Sequence, residues 1–397
     1  MFEGSKKLYN TISILVILSF LLIGFTGVAM SQERDKLRVG FIYVGPVGDY
    51  GYTKSHDIGR EYVEELYPWL ETFYAENIFP SDVGSAIYQF VNNRDADVIF
   101  TTSFGQMDPT ISAAKKYPNT IFFHCSGYKR AKNVGTYFAG LYQTCYLSGL
   151  MAGALTETNK LGYVGAFPTP EVKRHINAFA IGIHEVNPDA TLHVRWLNAW
   201  VDPSGAKEAT QALIESNVDG FAYTEDTPAV LQTAQENEAF SFAHYNPMYR
   251  FAKEGTLSGQ IAKWGAIYQD ILYKVYYDVY TNENLNDVDY WWLLKEGAVA
   301  LQAKPGMKIN PKYVDELKSV TVETDYSGEM NVYNLVMKRL KQMKTDRVTF
   351  DPFVGPMKDR QGIQRLEGGE WASHDELWQM QWAYPNVKGP WPGEPKK

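Results

Sequence analysis

The stretch LRVGFIYVGPVGDYGYTKSHDIG, Leu37–Gly59, begins with an apolar run broken only by Arg38. A short continuous apolar run bounded by turn residues reads as a β-strand buried on both faces. Gly45, Gly48 and Gly51 follow at a spacing of three, and the residues from Thr53 read as a helix. A buried strand that turns into a helix is half of a βαβ unit, so this stretch points to a parallel sheet covered on both sides. Its loop is open to three readings: a phosphate cradle, a catalytic loop carrying His56 and Asp57, or the lip of a pocket for a flat ligand.

The same beat continues downstream. ETFYA, DVIFTT, TIFFHC and VGTYF read as strands, with helices expected over 53–67, 82–92, 109–116 and 141–155. A second series repeats it: LGYVGAF, TLHVRWL, GFAYT and AFSFAHY as strands, with helices over 171–187, 204–216 and 228–236. Strands alternating with helices imply α/β architecture, and two similar series imply two similar lobes. IAKWGAIYQDILYKVYYDVY (261–280) reads as one long helix. From about Met330 the texture changes, and the Gly- and Pro-rich stretch over 350–380 reads as a hairpin-like appendage with a short helix. The last residues, PGEPKK, are expected to fray.

A chain of 397 residues is long enough for two lobes with separate cores. Its net charge of −8 argues against nucleic acid, whose binders carry basic patches. Aromatic residues make up 14%, with 27 Tyr and 10 Trp, which suits both core filling and a pocket for a flat, partly polar ligand. At the N-terminus Lys6 and Lys7 precede the apolar run ISILVILSFLLIGFTGVAM, and Gly27-Val28-Ala29 offers small residues for cleavage. This is read as a signal peptide or a retained N-terminal anchor, so the remainder is expected to be exported to the periplasm or cell surface. The two cysteines, Cys125 and Cys145, fall in a strand and a helix, and two free buried thiols are expected.

The three readings of the loop separate on chemistry. A dinucleotide fingerprint needs G-x-G-x-x-G, and Asp49 would repel a pyrophosphate, although Glu76 partly matches a ribose-binding acid. His56 and Asp57 are neighbours on a helix and diverge by about 100°. His124 and Cys125 alternate faces of a strand, and no G-x-S-x-G or H-E-x-x-H motif occurs, so no catalytic residue or metal site is assigned. The pocket reading accounts for more. GDYGYT (49–53 and its preceding glycine), TSFGQMD (102–108), TEDTP (224–228) and HYNPM (244–248) all combine aromatic and small polar residues just past a strand. Ligands of open α/β sheets sit beyond the carboxyl ends of strands, so these tips are expected to face a common cleft.

Over about 37–382 the chain resembles the basic-membrane-protein family of substrate-binding proteins for ABC importers. The resemblance rests on VGPVGDYGYTKSHDIGR, DVIFTTSFGQMDPTISAAKKYPNTIFFHCSGYK, NVGTYFAGLYQTCYLSGLMAG, LGYVGAFPTPEVKRHINAFAIG and the late VGPMKDRQG with GGEW. It implies a type I periplasmic-binding-protein fold, with lobe one at about 37–138 and 264–290, lobe two at about 139–263 and 291–325, and an appendage from 326. It implies a monomeric receptor that closes on a purine nucleoside or similar flat ring and serves a membrane permease and ATPase, with no cofactor. The family's stacking aromatic falls on Tyr52, and the polar residue after it on Thr53, where Asn is usual. Ser103-Phe104-Gly105 matches a second segment, and Lys263 beside Trp264 a third. Two family carboxylates are missing, at His124-Cys125-Ser126 and at His244-Tyr245-Asn246, while Asp226 sits where it could replace one.

The resulting expectation is a site built from Asp49, Tyr52, Thr53, Ser103, Phe104, Asp226, Asn246, Lys263 and Trp264. Tyr52 would stack, with Phe104 or Trp264 beside it, and Asp226, Asn246 and Lys263 would hold polar edges. Carboxylates are what a pocket uses to grip paired hydroxyls, so their loss moves the expectation from a nucleoside toward a free purine-like base. The alternatives are a secreted nucleoside-processing enzyme, a ligand-binding sensory protein, and an interaction protein with no ligand.

Overall fold

The strand at Leu37 forms as read, but the architecture depends on which strands become its neighbours. In the computed structural model residues 36–394 are described, apart from Asp49, residues 325–327 and Asp346. The apolar N-terminal segment, Asp49 and the last three residues therefore lie outside the described residues. The first series is β1 (Leu37–Ile42), α1 (Tyr52–Leu66), β2 (Leu70–Ala75), α2 (Val83–Arg94), β3 (Val98–Thr101), α3 (Met107–Lys116), β4 (Ile121–Cys125) and β5 (Val134–Ala139). The second is α4 (Tyr142–Leu155), β6 (Lys160–Gly165), α5 (Pro170–Val186), β7 (Thr191–Trp196), α6 (Pro203–Ile214), β8 (Gly220–Thr224), α7 (Ala229–Glu236), β9 (Phe240–Tyr245) and β10 (Thr256–Ala262). There follow α8 (Trp264–Tyr276), β11 (Asp289–Trp292), β12 (Val299–Leu301), α9 (Val314–Ser319), β13 (Thr321–Thr324), β14 (Gly328–Asn331), α10 (Val332–Lys344), β15 (Met357–Lys358), β16 (Gln364–Leu366), α11 (His374–Trp378) and β17 (Val387–Lys388).

These strands build two large sheets. The first has the order β11-β5-β4-β3-β1-β2, the second β12-β10-β9-β8-β6-β7-β17. Pairing within them is parallel at β1–β3, β3–β4, β4–β5 and β11–β5, and again at β6–β7, β6–β8, β8–β9 and β9–β10. β12 runs antiparallel to its neighbour, β10. Because both faces of a parallel sheet are covered, the central strands β3, β4, β5, β8, β9 and β10 are buried throughout, whereas β2 and β7 nearer the edges are partly exposed. Register then decides ring contacts. Phe41 lies opposite Phe100, and Phe100 opposite Phe123, so the three rings stack at 4.9 and 5.7 Å. Tyr268 of α8 closes over them edge-on, 4.8 Å from Phe100.

The chain passes between the two sheets three times. After β5 it enters α4, which packs against α5 and β10; after β10 it enters α8, which packs against α1; and β11 and β12 then edge one sheet each. The α4–α5 crossing is tight: a Cβ on Gly149 would lie 2.1 Å from the Phe179 carbonyl oxygen, and one on Gly182 2.2 Å from that of Tyr146. Glycine is required at both positions because any side chain would force the helices apart.

Three stretches differ from the sequence reading. Thr256–Ala262 is a strand buried along its whole length, so the expected helix from Ile261 starts only at Trp264 and stops at Tyr276. A short apolar run carries no period that tells a buried strand from a buried helix, and only pairing with β9 resolves it. Val332–Lys344, in the supposedly irregular tail, is a helix capped by Asn331, burying Val332, Leu335, Val336, Arg339, Leu340 and Met343. The glycines and prolines beyond it masked that helical spacing. The tail also carries the β15–β16 hairpin and the short α11, and its β17 extends the second sheet beside β7. Cys125 and Cys145 are both buried and unbonded.

Candidate ligand-binding site

Both sheets reverse direction once. In the first sheet β1 leads to β2 on one side and β3 on the other, and in the second β6 leads to β7 and β8 in the same way. Ligands of such sheets bind outside the strand ends at this reversal. The loops after β1, β3, β6 and β8 converge here on one cavity of about 670 Å³, mouth included, lined by Val44, Tyr52, Ser103, Phe104, Ser126, Phe138, Thr169, Pro170, Glu171, Arg174, Trp200, Asp226, Tyr245 and Trp378.

Tyr52 is the first residue of α1, and its side chain is held on every edge. The hydroxyl donates to the Thr102 carbonyl and lies 3.3 Å from Cys125 Sγ. Its ring meets His56 at 4.5 Å, Tyr245 at 4.9 Å and Trp264 at 5.9 Å, each edge-to-face. Burial pushes the Tyr52 phenol well above its ordinary pKa, so it is a neutral donor. Its backbone N–H donates to Asp226 Oδ1 across the cleft at 3.1 Å, where a carboxylate suits the positive end of α1. The approach is close enough that a Cβ on Gly51 would lie 2.6 Å from the Asp226 Cα. Ser103 caps the short turn of Phe104–Gln106, and Phe104, 49% exposed, stands at the mouth.

The facing wall comes from the second sheet. Thr169 caps α5 by accepting from the Val172 N–H, and Pro170 starts the helix, which sets Glu171 and Arg174 one turn apart on the cavity side. Glu171 accepts from the Tyr245 hydroxyl at 2.8 Å. Burial raises the Glu171 pKa, while the Arg174 charge and the Tyr245 bond hold it down. Arg174 is 1% exposed, donates through Nη1 to the Leu377 carbonyl at 2.6 Å, and lies 4.8 Å over the Trp291 ring. Burial lowers its pKa to about 10. Asp226 is itself placed by its backbone N–H, which donates to the Trp200 carbonyl at 2.9 Å. Two residues at the cavity take left-handed backbone conformations without being glycine, Ser126 at φ 63° and Tyr245 at φ 58°. Such geometry costs of order 1 kcal/mol each and clusters at ligand sites.

Four of the expected residues, Tyr52, Ser103, Phe104 and Asp226, meet in this cavity. Thr53 and Trp264 stand behind it. Trp264 is 1% exposed, stacks on His56 at 4.1 Å and donates to Ser55 Oγ, so it supports the Tyr52 ring and does not offer a face to a ligand as expected. Asn246 lies beside the mouth and donates to the Tyr50 carbonyl at 3.3 Å. Lys263 is exposed at the start of α8 and does not line the cavity, contrary to its expected polar role, because the turn from β10 directs it to solvent. His56 and His124 are buried against Tyr268 and Thr101, and Asp57 pairs with Arg60 at 2.9 Å, so all three pack the fold.

Glu171, Arg174, Phe138, Trp200, Tyr245 and Trp378 were not among the expected residues. The first two could have been found: GAFPTPEVKR is a strand tip like the four singled out, with a Thr-Pro helix start and its charges in the first turn. Trp378 could not, since it reaches the cavity from the far end of the chain.

The model of the Bmp family, described as ABC transporter substrate-binding protein PnrA-like, matches residues 36–335. The chain belongs to this family. Among its relatives, a purine-binding protein of Brucella abortus is 34% identical over 358 residues, 89% of this chain and 93% of that one. A putative ABC transporter glucose-binding protein of Haloferax volcanii is 36% identical over 302 residues, 76% and 75% of the two chains. The solved structure of an ABC transporter solute-binding protein from Aeropyrum pernix superposes with a TM-score of 0.63 at 16% identity, covering 86% of this chain and 95% of that one. That likeness speaks for the type I binding-protein fold alone. The family match ends before Leu377 and Trp378, so one lining residue of this cavity, Trp378, lies beyond it.

Proposed function

We propose that this Bmp protein is the extracytoplasmic receptor of an ABC importer and holds a purine base or nucleoside in the cavity between its two sheets, without chemical change. The observation that carries the reading is the lining itself: aromatic rings from both sheets and the tail, among them Tyr52, Phe104, Trp200 and Trp378, with Glu171, Arg174 and Asp226 beside them. Flat rings sandwiched between aromatic side chains, with a few placed polar groups, are the ligands such a cavity suits. The purine-binding relative supports the choice of ring. Groups from both sheets contact one volume, so ligand and closure favour each other.

The glucose-binding relative and the pair of carboxylates at the margin favour a second reading, a hexose gripped through its hydroxyls. Thermal shift of the purified protein with hypoxanthine, adenine, inosine, adenosine, riboflavin and glucose separates the two. A ligand bound only by the folded state raises the melting temperature, and by about 2.7 kcal/mol of stability at a hundredfold excess over Kd. A shift with purines and none with glucose supports the proposal; a shift with glucose alone overturns it. Free base appearing from inosine during incubation would reveal an enzyme. Loss of purine uptake on deleting the gene, with growth on other nitrogen sources kept, tests the importer role.

A further inference from the structure

Among the described residues Arg174 is a buried charged group with two donors left over. It is 1% exposed and lines the cavity, yet only Nη1 has an acceptor, the Leu377 carbonyl. Nε and Nη2 have no hydrogen-bond partner among the described residues. Burying donors of a charged group without acceptors is costly, so native proteins rarely leave them so. These two N–H groups form one side of the planar guanidinium, a fork with two parallel donors. Phe138, Trp291 and Trp378 surround the same group at 4.8–5.8 Å, which holds its plane among rings.

A fork of two donors beside aromatic walls selects a flat ring that presents two adjacent acceptors. Among purines this is the edge carrying O6 and N7 in guanine and hypoxanthine, which arginine reads bidentately. Adenine presents N7 beside an amino group at the same edge, and there a donor would face a donor. We infer that Arg174 makes the site selective for 6-oxopurines over 6-aminopurines. The inference rests on the purine reading above and narrows it. Leu377 and Trp378 hold the fork in place from the tail, so selectivity is carried in part by a segment outside the family match.

Isothermal titration of the wild-type chain with hypoxanthine, 7-deazahypoxanthine and adenine tests this. Hypoxanthine should bind about tenfold to a hundredfold more tightly than adenine, and removing N7 should lose much of that advantage. Arg174→Gln should reverse the order, since glutamine pairs with the amino and N7 positions of adenine. Adenine binding by that variant would also report that it is folded. Equal or tighter binding of adenine by the wild type overturns the inference while leaving the purine reading intact. An unchanged preference in Arg174→Gln likewise overturns it. Failure of every purine to bind would defeat both.

Discussion

The two walls of the cavity differ in kind. Among the described residues, the wall from the first sheet offers rings and hydroxyls: Tyr52, Phe104, Phe138, Ser103 and Ser126. The wall from the second carries the ionisable groups, Glu171, Arg174 and Asp226. One side supplies stacking area that tolerates many flat rings, and the other supplies directional bonds that discriminate among them. The two walls meet at α1, where the Asp226 carboxylate accepts from the Tyr52 N–H. Affinity should therefore track the first wall, and selectivity and pH dependence the second.

Removing the ring breaks the first wall most directly. Tyr52→Ala is expected to weaken purine binding by about 1–3 kcal/mol, comparable to losing one base–aromatic stack, with similar losses for hypoxanthine and adenine. Calorimetry showing a loss confined to one base would contradict the division of labour. Gly51→Ala attacks the contact between walls. Its methyl group would meet the Asp226 backbone, and overpacking of this kind costs about 1–3 kcal/mol. On the proposed closure these atoms meet only when the two sheets close on ligand, so weaker binding should come with a melting temperature close to that of wild type. A collapse in stability without ligand would argue that closure is not what the glycine serves.

Glu171→Gln sharpens the second wall through pH. The Glu171 carboxyl is raised by burial, so the unliganded protein is favoured by protonation below the ordinary carboxylate pKa and loses that stability as pH rises through the raised value. The glutamine variant lacks this term. Its melting temperature relative to wild type should climb as pH rises from the ordinary carboxylate pKa of about 4.3 and level off once the raised pKa is passed. Parallel melting curves across that range would mean that Glu171 does not carry the charge assigned to it. Lys263→Ala, at an exposed position off the cavity, should change affinity and stability by less than about 0.5 kcal/mol. A larger change in ligand titration would return Lys263 to the site.

Much of this wall structure was legible in advance, for a definable reason. The tips after β1, β3 and β8 follow apolar strands and combine aromatic with small polar residues, so Tyr52, Ser103, Phe104 and Asp226 could be named. The tip after β6 has the same form, but its Thr-Pro-Glu reads first as a helix start, which draws attention away from Glu171 and Arg174. Trp264 misled in the opposite sense: an aromatic beside a lysine at a helix start resembles a ligand contact, and only packing shows it spent on His56.

Local pattern alone determined that this chain alternates strands and helices, in two series, with polar aromatic loops at the strand ends. That is so because burial on both faces of a parallel sheet writes itself into neighbouring residues as an apolar run. Which loops share a cavity was decided by tertiary structure: by where each sheet reverses, by the three passages between sheets, and by the tail returning to set Leu377 and Trp378 against Arg174. Those contacts join residues some two hundred positions apart, and no period in the sequence encodes a distance of that kind.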